Sequence, residues 1–302
     1  RPSGTAYEMG FGDMTTRQLA RVHSGDGFHW VGDGFYVTQL LPGSPELQAA
    51  ADPFLLMDYN PVREYPPTDR QRGVGPHPHR GFETVTLAFE GAVQHHDSTG
   101  GGGIIYPGDA QWMTATKGIL HKEYHEKEWA AKGGRFHMMQ LWVNLPSRDK
   151  MSEPGYQALT AESMGKVKLP GGGTVILYAG ALDGAVGPAR THTPIELWDV
   201  HLASEETAEL AVPDGHTLLV FVLDGAVETD GGTIGHEQLG LFERSGDVLR
   251  LSAPESGARV IVLGGEPIGE PVIFYGPFAM NTQAEIVQAI EDFNAGTFGH
   301  LV

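Results

Sequence analysis

Short stretches in which apolar and polar residues alternate recur along the chain, and they predict β-strands. Side chains of a strand point alternately to its two faces, so each stretch fits a strand with one buried face. Glycine-rich and Pro-Gly-Asp turns separate the stretches, as in small antiparallel barrels. The predicted strands lie at 32–41, 54–59, 82–94, 104–106, 111–114 and 136–145, and the polar segment 60–75 is predicted as a loop.

The spacing of apolar residues changes after residue 280 to that of an amphipathic helix. Thr282 offers an N-cap, Gly296 follows the last turn, and apolar residues stand at 286, 287, 290 and 293. We expect this single helix at the end of a β-protein to pack against a barrel. Binding of a partner protein is the alternative.

The second half of the chain repeats a pattern of the first. Phe-Glu-Gly-Ala-Val at 89–93 resembles Leu-Asp-Gly-Ala-Val at 223–227, and Pro-Gly-Asp at 107–109 resembles Ser-Gly-Asp at 245–247. Two copies of one supersecondary pattern predict two barrels of the same kind. The 302 residues suit this organisation, because they exceed one ordinary domain and fit two of about 150 residues.

We therefore divide the chain into three parts. An N-terminal domain is predicted at 1–148, a C-terminal domain at 149–280, and a helix with a tail at 281–302. The predicted fold class is all-β, with two tandem antiparallel β-barrels and one C-terminal α-helix. The 42 glycines and 20 prolines agree with turn-rich β structure.

Composition and charge exclude several classes of function. The net charge of −18 argues against non-specific nucleic-acid binding, which needs clustered Lys and Arg to neutralise phosphates. The sequence has no apolar run of about 18 residues that could span a membrane. Residues 1–10 lack the apolar core of a signal peptide, although the sequence starts without Met and a segment can precede it. We expect a cytoplasmic protein. It contains no cysteine, so any metal ligands must be His and carboxylate.

The segment from 75 to 123 carries a pair of potential metal-binding side chains near each of its ends. His77 and His79 form one pair, and His121 and Glu123 form the other. Residues i and i+2 of a strand point to the same face, so each pair would aim into one interior. A lone His-x-His fits a structural role equally well, but the second pair favours a metal site. Three imidazoles and a carboxylate suit a first-row transition metal with one or two further ligand positions.

Other side chains near the two pairs receive different predicted positions. His95 and His96 follow a turn and are predicted at the rim or surface, with a position in the cavity as the alternative for either. His125 has the parity of His121 and Glu123, which makes it a candidate to support the metal ligands, but it is predicted to leave the barrel with the charged turn that follows it. Three apolar residues share the parity of the His-x-His pair and are expected to line the same interior, namely Val85, Leu87 and Phe89.

The second copy of the pattern has lost the metal-binding residues. At the same offsets, the first pair falls on Ala211 and Pro213, and the second pair falls on Arg259 and Ile261. The second barrel is therefore predicted to hold no metal. The isolated histidines of this half are predicted at surface or structural positions, namely His192, His201, His216 and His236.

Long ordered motifs around the two pairs resemble the pirin family of bicupins. They are His-Pro-His-Arg-Gly-Phe-Glu-Thr at 77–84, Pro-Gly-Asp-x-Gln-Trp-Met-Thr-Ala at 107–115 and Gly-Ile-Leu-His-x-Glu at 118–123, with further similarity at 140–145, 153–156 and 275–278. The resemblance covers nearly the whole chain and implies two tandem cupin barrels of the jelly-roll type. It also implies one metal, commonly iron, held by His77, His79, His121 and Glu123. The position of Glu83 is a ligand in many other cupins but not in pirins.

The resemblance also implies an activity. Pirin-like proteins of this type are associated with opening the flavonol quercetin by 2,3-dioxygenation, which needs a small aromatic polyhydroxy substrate and O2. A metal lowers the pKa of a hydroxyl bound to it, and Glu123 could then accept the proton as a general base. Fe(II) is the favoured metal, with Ni, Co, Cu, Mn and Zn as alternatives.

Two other functions stay open at this point. Some pirins act as nuclear transcription cofactors, in which the oxidation state of the metal controls binding of a protein partner. In the other alternative the metal only holds the fold, although a second barrel without metal argues against this. In every case we expect a monomer or weak dimer that does not itself bind nucleic acid or membranes.

Overall fold

Most of the chain is β structure. The computed structural model describes residues 14–301, and three helices lie among the strands of that span. The elements of the first half are β1 (Leu19–Ser24), β2 (Phe28–Val31), β3 (Phe35–Leu41), α1 (Pro45–Ala50), β4 (Phe54–Tyr65), β5 (Gly73–His79), β6 (Phe82–Glu90), β7 (Val93–Asp97), β8 (Gly102–Ile105), β9 (Ala110–Thr114), β10 (Ile119–His125), α2 (Lys127–Lys132), β11 (Gly134–Asn144) and β12 (Gly155–Leu159). Those of the second half are β13 (Gly165–Lys168), β14 (Thr174–Ala179), β15 (Ala181–Leu182), β16 (Ala185–Val186), β17 (Ile195–Leu202), β18 (Thr207–Ala211), β19 (Thr217–Asp224), β20 (Val227–Thr229), β21 (Gly232–Ile234), β22 (Gln238–Phe242), β23 (Val248–Ser252), β24 (Ala258–Gly265), β25 (Ile273–Tyr275), β26 (Phe278–Met280) and α3 (Gln283–Asn294). No helix within this span is both long and apolar enough to cross a membrane.

Each half of the chain folds as a seven-stranded sheet packed on a four-stranded sheet. In the first barrel the strand orders are β12-β9-β6-β11-β4-β3-β2 and β5-β10-β7-β8. In the second barrel they are β1-β22-β19-β24-β17-β14-β13 and β18-β23-β20-β21. Apolar side chains from both sheets of a half share one cluster, as a closed barrel requires. The matching orders confirm the predicted pair of barrels. The predicted loop at 60–75 is shorter than expected, because β4 continues to Tyr65 and β5 begins at Gly73.

Two strands cross between the halves. β1 pairs with β22 and extends the large sheet of the second barrel, whereas β12 pairs with β9 of the first barrel. β12 therefore adds to the first barrel a segment that lies after residue 148. A strand before residue 148 (β1) pairs with the second barrel, and a strand after it (β12) pairs with the first. The domain boundary at residue 148 remains a prediction.

A shared apolar core joins the two barrels. Tyr59 of β4 and Phe221 of β19 meet there, with their ring centroids 4.8 Å apart. Leu141 from the first barrel and Ile261 from the second are fully buried in the same cluster. Because side chains from both halves fill one core, the second barrel supports the outer face of the large sheet of the first.

The same core corrects the predicted positions of three apolar side chains. Val85, Leu87 and Phe89 point into it and not into the interior of the first barrel. His77 and His79 stand at odd-numbered positions, but the odd-numbered positions of β6 face the other way. The reason is that the chain turns at Gly81, which has a φ of 93°. A Cβ at Gly81 would lie 2.0 Å from the carbonyl oxygen of Ala279, so only glycine fits this turn.

Apolar side chains fill the second barrel where the first carries its two metal-binding pairs. By strand order, β18 and β23 of the second barrel correspond to β5 and β10 of the first. The inward side chains of β18 are Ala208 and Leu210, and those of β23 are Leu249 and Leu251. All four are buried in one apolar cluster, so these four positions offer no metal-binding side chain.

This correspondence corrects part of the sequence comparison. Arg259 and Ile261 lie on β24, which corresponds to β11 and not to β10. The Gly-Asp motif precedes β9 in the first half but β23 in the second, so matching the two copies shifts the alignment by one strand. The four isolated histidines of the second half each lie 3.5 Å or less from one carboxylate. Within residues 14–301, the groups of three or more metal-binding side chains belong to the first barrel.

We expect elemental analysis of the metal-loaded protein to find about one transition metal per chain, because the strands of the second barrel that correspond to β5 and β10 carry apolar inward side chains. The measurement is inductively coupled plasma mass spectrometry after gel filtration removes loosely held metal. A His77→Ala/His79→Ala double variant serves as the control and should lose that metal. Two tightly held metals per chain would contradict the prediction.

The C-terminal helix begins with a capping box and packs beside the first barrel. Thr282 Oγ1 accepts a hydrogen bond from the backbone N–H of Glu285, whose carboxylate accepts one from the backbone N–H of Thr282. Ile286 is buried against the β25–β26 hairpin. Asp292 lies 2.9 Å from the guanidinium of Arg80, which follows the His-x-His pair in the chain. The predicted C-terminal helix is confirmed.

Candidate metal centre

Two adjacent antiparallel strands bring the His-x-His pair next to His121. β5 carries His77 and His79, β10 carries His121, and the backbone register sets His121 opposite His77. One ring nitrogen from each imidazole lies within 4.8 Å of the other two. The ring centroids are 4.2 to 4.8 Å apart. Such a triangle of nitrogens can hold one first-row transition metal.

The hydrogen bonds of these imidazoles leave one nitrogen of each ring free. His77 Nδ1 lies 2.8 Å from the carbonyl oxygen of Gly75, and His79 Nδ1 lies 3.4 Å from that of Pro277. A carbonyl only accepts, so Nδ1 carries the proton in both rings and Nε2 keeps its lone pair. His121 Nε2 is buried and has no hydrogen-bond partner among residues 14–301. Burying a polar atom without a partner is unfavourable, so this donor set fits a metal ion.

Burial also keeps two of these imidazoles neutral. Desolvation lowers the pKa of His79 and of His121 well below the usual value, and the neighbouring imidazoles lower it further. A protonated imidazole has no lone pair, whereas a neutral one can bind a metal. The environment therefore favours the form that the proposed role requires.

Glu123 lies close to this triangle but belongs to a second group. Its carboxylate and the rings of His95 and His121 offer ligand atoms within 4.8 Å of one another. The four predicted ligands thus fall into two overlapping groups that share His121. Three side chains donate hydrogen bonds to the carboxylate, namely Gln111 Nε2, Gln140 Nε2 at 3.3 Å and Thr86 Oγ1 at 3.5 Å.

Two histidines predicted at or near the surface are buried instead. His95 is 1% exposed, because β7 pairs with β10 and alternates between buried odd-numbered and more exposed even-numbered positions. His96 is one of the exposed positions, as predicted. His125 is still part of β10, and its Nε2 donates to the carbonyl oxygen of Gly34 at 2.8 Å. Both predictions were wrong because they ended a strand too early.

An apolar cavity opens between the two sheets in front of these side chains. Its walls come from β2, β3, β4, β5, β7, β10 and β11 and include Phe35, Met138 and Trp142. An apolar slot with a few convergent polar groups is typical of a small-molecule site. The polar side chains that line this one are Asp58, His77, His79, Glu123 and Gln140.

Asp58 is a buried carboxylate in this cavity that the sequence analysis did not single out. It lies on β4 opposite Gln140 of β11, and Gln39 Nε2 donates a hydrogen bond to it at 3.3 Å. Burial raises the pKa of Asp58 to about 6. Its one signal in the sequence is an acidic residue inside the apolar segment 54–59.

Asp58→Asn is expected to stabilise the protein near pH 8 and to lose that benefit near pH 4. The pKa of the carboxyl group rises from 3.8 to about 6 on folding, so the folded state binds the proton more tightly. Ionisation at higher pH therefore costs the folded state on the order of 2–3 kcal/mol, which a neutral amide avoids. Thermal melts of the metal-free protein at the two pH values measure the difference.

The exposed Asp69→Asn serves as the control for this comparison and should change the melting temperature little at either pH. A gain for Asp58→Asn that is equal at both pH values would contradict the assignment of a desolvated carboxylate.

A buried lysine holds the turn behind the His-x-His pair. Lys150 is 1% exposed, and its Nζ donates to the carbonyl oxygens of Gly81 and Ala279 and to Asn144 Oδ1 at 2.7 to 2.9 Å. Three acceptors match the three donors of an ammonium group. The sequence does not reveal this role, because Lys150 follows the polar segment 147–149 and looks like part of a surface turn.

Two barrels of one kind, with a cavity and a histidine cluster in the first, define a bicupin with a candidate metal centre. The family model Pirin matches residues 34–143, and the model Pirin C-terminal cupin domain matches residues 197–299. The chain therefore belongs to the pirin family, as its motifs predict.

Similar proteins agree with this family. A Pseudomonas aeruginosa protein named "Putative quercetin 2,3-dioxygenase" is 46% identical over 283 residues, which cover 93% of this chain and 98% of that protein. The crystal structure of a quercetin 2,3-dioxygenase from Acinetobacter baumannii shows 45% identity and a TM-score of 0.91, covering 95% of this chain and 100% of that one. A bacterial pirin from Escherichia coli in complex with nickel(II) shares the fold at 21% identity and a TM-score of 0.61, covering 82% of this chain and 99% of that one.

Proposed function

We propose that this protein is a metal-dependent dioxygenase that opens flavonols such as quercetin by 2,3-dioxygenation. The proposed metal site consists of His77, His79, His121 and Glu123. The observation that carries the proposal is the buried and unpartnered Nε2 of His121, which lies beside two further imidazoles at an apolar cavity. The names of the relatives from P. aeruginosa and A. baumannii support the same activity.

The cavity suits a flat aromatic substrate with several hydroxyl groups. Phe35 and Trp142 offer aromatic surface to its rings. Asp58 can accept a hydrogen bond from a hydroxyl group, and Gln140 can donate or accept one. A substrate hydroxyl would give the Asp58 carboxylate a second donor besides Gln39 Nε2.

Fe(II) is the metal that we propose, and it would acidify a substrate hydroxyl and supply the electron transfer that reaction with O2 needs. Glu123 is the proposed acceptor of the hydroxyl proton, since its carboxylate borders the cavity. Gln111 and Gln140 orient this carboxylate by donating to its two oxygens. Ni, Co, Cu, Mn and Zn accept the same donor atoms, so the test includes several metals.

The test compares metal-free protein with samples reconstituted separately with Fe(II), Ni(II) and Co(II). Quercetin is added in air, and loss of its visible absorbance, uptake of O2 and the mass of the product are followed together. Metal without protein is the control for spontaneous oxidation. We expect turnover with at least one metal and a product that carries both atoms of labelled O2. No turnover with any bound metal would overturn the proposal.

Absence of turnover with every bound metal would favour the second candidate, a regulatory protein whose metal controls binding of a protein partner. No contact within residues 14–301 specifically favours that function. We place the proposed activity in the cytoplasm and in a monomer or weak dimer. Turnover that needs an added protein partner would contradict the proposal that the monomer or weak dimer is active by itself.

A further inference from the structure

We infer that Asp97 and His95 form a buried hydrogen-bonded chain that fixes the tautomer of His121 and so directs its Nε2 lone pair to the metal position. The inference rests on the proposed metal site but not on the proposed reaction. It makes Asp97 and His95 positioning residues, because neither needs to touch substrate.

The chain runs through three side chains on two paired strands. His95 Nε2 lies 3.1 Å from Asp97 Oδ2, and His95 Nδ1 lies 3.3 Å from His121 Nδ1. The side chains of His95 and Asp97 are both fully buried, so water does not compete for these hydrogen bonds. The strand register explains the geometry, since Asp97 of β7 stands opposite His121 of β10.

The protons in this chain can be assigned from its acidic end. Asp97 Oδ1 accepts hydrogen bonds from Thr99 N, Thr99 Oγ1 and Gly101 N, so the group acts as a carboxylate acceptor. Its Oδ2 then accepts from His95 Nε2–H, which leaves a lone pair on His95 Nδ1. That lone pair accepts from His121 Nδ1–H. His121 Nε2 is left with a lone pair and, among residues 14–301, without a hydrogen-bond partner.

Packing keeps the middle ring of the chain in place. The ring of Tyr156 from β12 stacks on His95 at 4.8 Å between centroids, with 19° between the planes. On its other side His95 faces His121 at 5.1 Å. Tyr156 also donates to Gln111 Oε1 at 3.3 Å, and Gln111 in turn donates to Glu123. The groups that orient His121 and Glu123 therefore share one packed layer.

A structural role alone explains this arrangement less well. A buried histidine whose only role is to pair with a buried carboxylate needs no second imidazole. His95 also accepts a hydrogen bond from His121, whose Nε2 is buried without a hydrogen-bond partner among residues 14–301. Acceptors on the far side of metal-binding histidines typically raise metal affinity about 10- to 100-fold by fixing the tautomer and ring orientation. His77 and His79 use backbone carbonyls for this purpose, and His121 uses the pair of His95 and Asp97.

Asp97→Asn is the decisive variant, because it keeps the size and shape of the side chain but reverses the donors and acceptors along the hydrogen-bonded chain. The amide oxygen can still accept from Thr99 and Gly101, which turns the amide NH2 group towards His95 Nε2. His95 must then carry its proton on Nδ1 and donate to His121 Nδ1. His121 would hold its proton on Nε2, where the metal belongs.

Two measurements on the full-length protein follow this change without substrate. Long-range ¹H–¹⁵N spectra of metal-free, ¹⁵N-histidine-labelled protein should show His121 protonated on Nδ1 in the wild type and on Nε2 in Asp97→Asn. Competition titration with Co(II) and a chelator should show affinity reduced about 10- to 100-fold. Thr99→Val is the matched control, since it removes a donor to Asp97 Oδ1 but leaves the chain intact, and it should bind Co(II) like the wild type.

A third variant tests whether Asp97 acts through His95. His95→Phe keeps a ring to stack on Tyr156 but ends the hydrogen-bonded chain, so adding Asp97→Asn to it should cause little further loss of affinity. Additive losses would overturn the inference, as would an unchanged His121 tautomer in Asp97→Asn. Equal loss in Thr99→Val would also overturn it, because the turn and not the tautomer would then control the metal. A failure to open quercetin would leave all these results unaffected.

Discussion

His121→Ala is expected to give a folded protein that holds little metal and has lost its turnover. The substitution removes the ligand that both metal-capable groups share, so neither group keeps three members. We expect metal affinity to fall by more than about 100-fold, beyond the effect typical of a residue that only supports a ligand. The apolar clusters that hold the two sheets together do not include His121, so circular dichroism and a cooperative melt should persist.

His125→Ala is the matched control for this variant. His125 lies on the same strand and the same face, is also buried, and donates to a backbone carbonyl without belonging to either group. Its loss should lower the melting temperature but leave about one metal per chain, because the ligand set is intact. If His121→Ala unfolds at room temperature while His125→Ala does not, the metal has a structural role. If His121→Ala keeps its metal, the ligand assignment is wrong.

The proximity of His77 to His79 and of His121 to Glu123 could be predicted because each pair lies within one strand. The distance from His77 to His79 is set by the pleat of β5, and that from His121 to Glu123 by β10, so local alternation is enough. The same rule failed for Val85, because the turn at Gly81 lies between it and the histidines. Parity is a property of one continuous strand, and a positive φ between two strands resets it.

Residues that act across strands could not be predicted in this way. Asp97 and His95 lie beside His121 because β7 pairs with β10, and Asp58 lies opposite Gln140 because β4 pairs with β11. Lys150 reaches carbonyl groups that lie 69 and 129 positions away in the sequence. Each of these roles depends on long-range pairing, which a single sequence does not reveal.

The second barrel illustrates the same limit. The sequence comparison did not identify which strands of the second barrel correspond to β5 and β10. A shared Gly-Asp turn aligned β9 with β23, although strand order matches β23 with β10. Turn motifs recur wherever a chain reverses, so they align less reliably than the order in which strands pair.

Glu123→Gln is expected to lower turnover by at least about 10²-fold, after correction for bound metal, while much of the metal stays. The amide has almost the same size as the carboxylate and keeps an oxygen that binds metal weakly, but it has lost the negative charge and the basicity. The neighbouring side chains also disfavour an amide at this position. Gln111 and Gln140 both donate to the carboxylate, and the new NH2 group would meet one of these donors. Some metal should be lost for that reason.

Glu83→Gln separates this effect from the general cost of neutralising a buried glutamate. Glu83 is 1% exposed, accepts a hydrogen bond from Thr114 Oγ1 at 2.7 Å, and belongs to neither metal-capable group. We expect it to keep the metal and much of the activity. Rates of quercetin loss per bound metal are compared for the two variants and the wild type. If Glu123→Gln turns over normally with its metal in place, Glu123 is not the base and is at most a replaceable ligand. If both variants fall equally, the loss reflects a general disturbance of the first barrel, because only the Glu123 carboxylate borders the cavity proposed for the substrate.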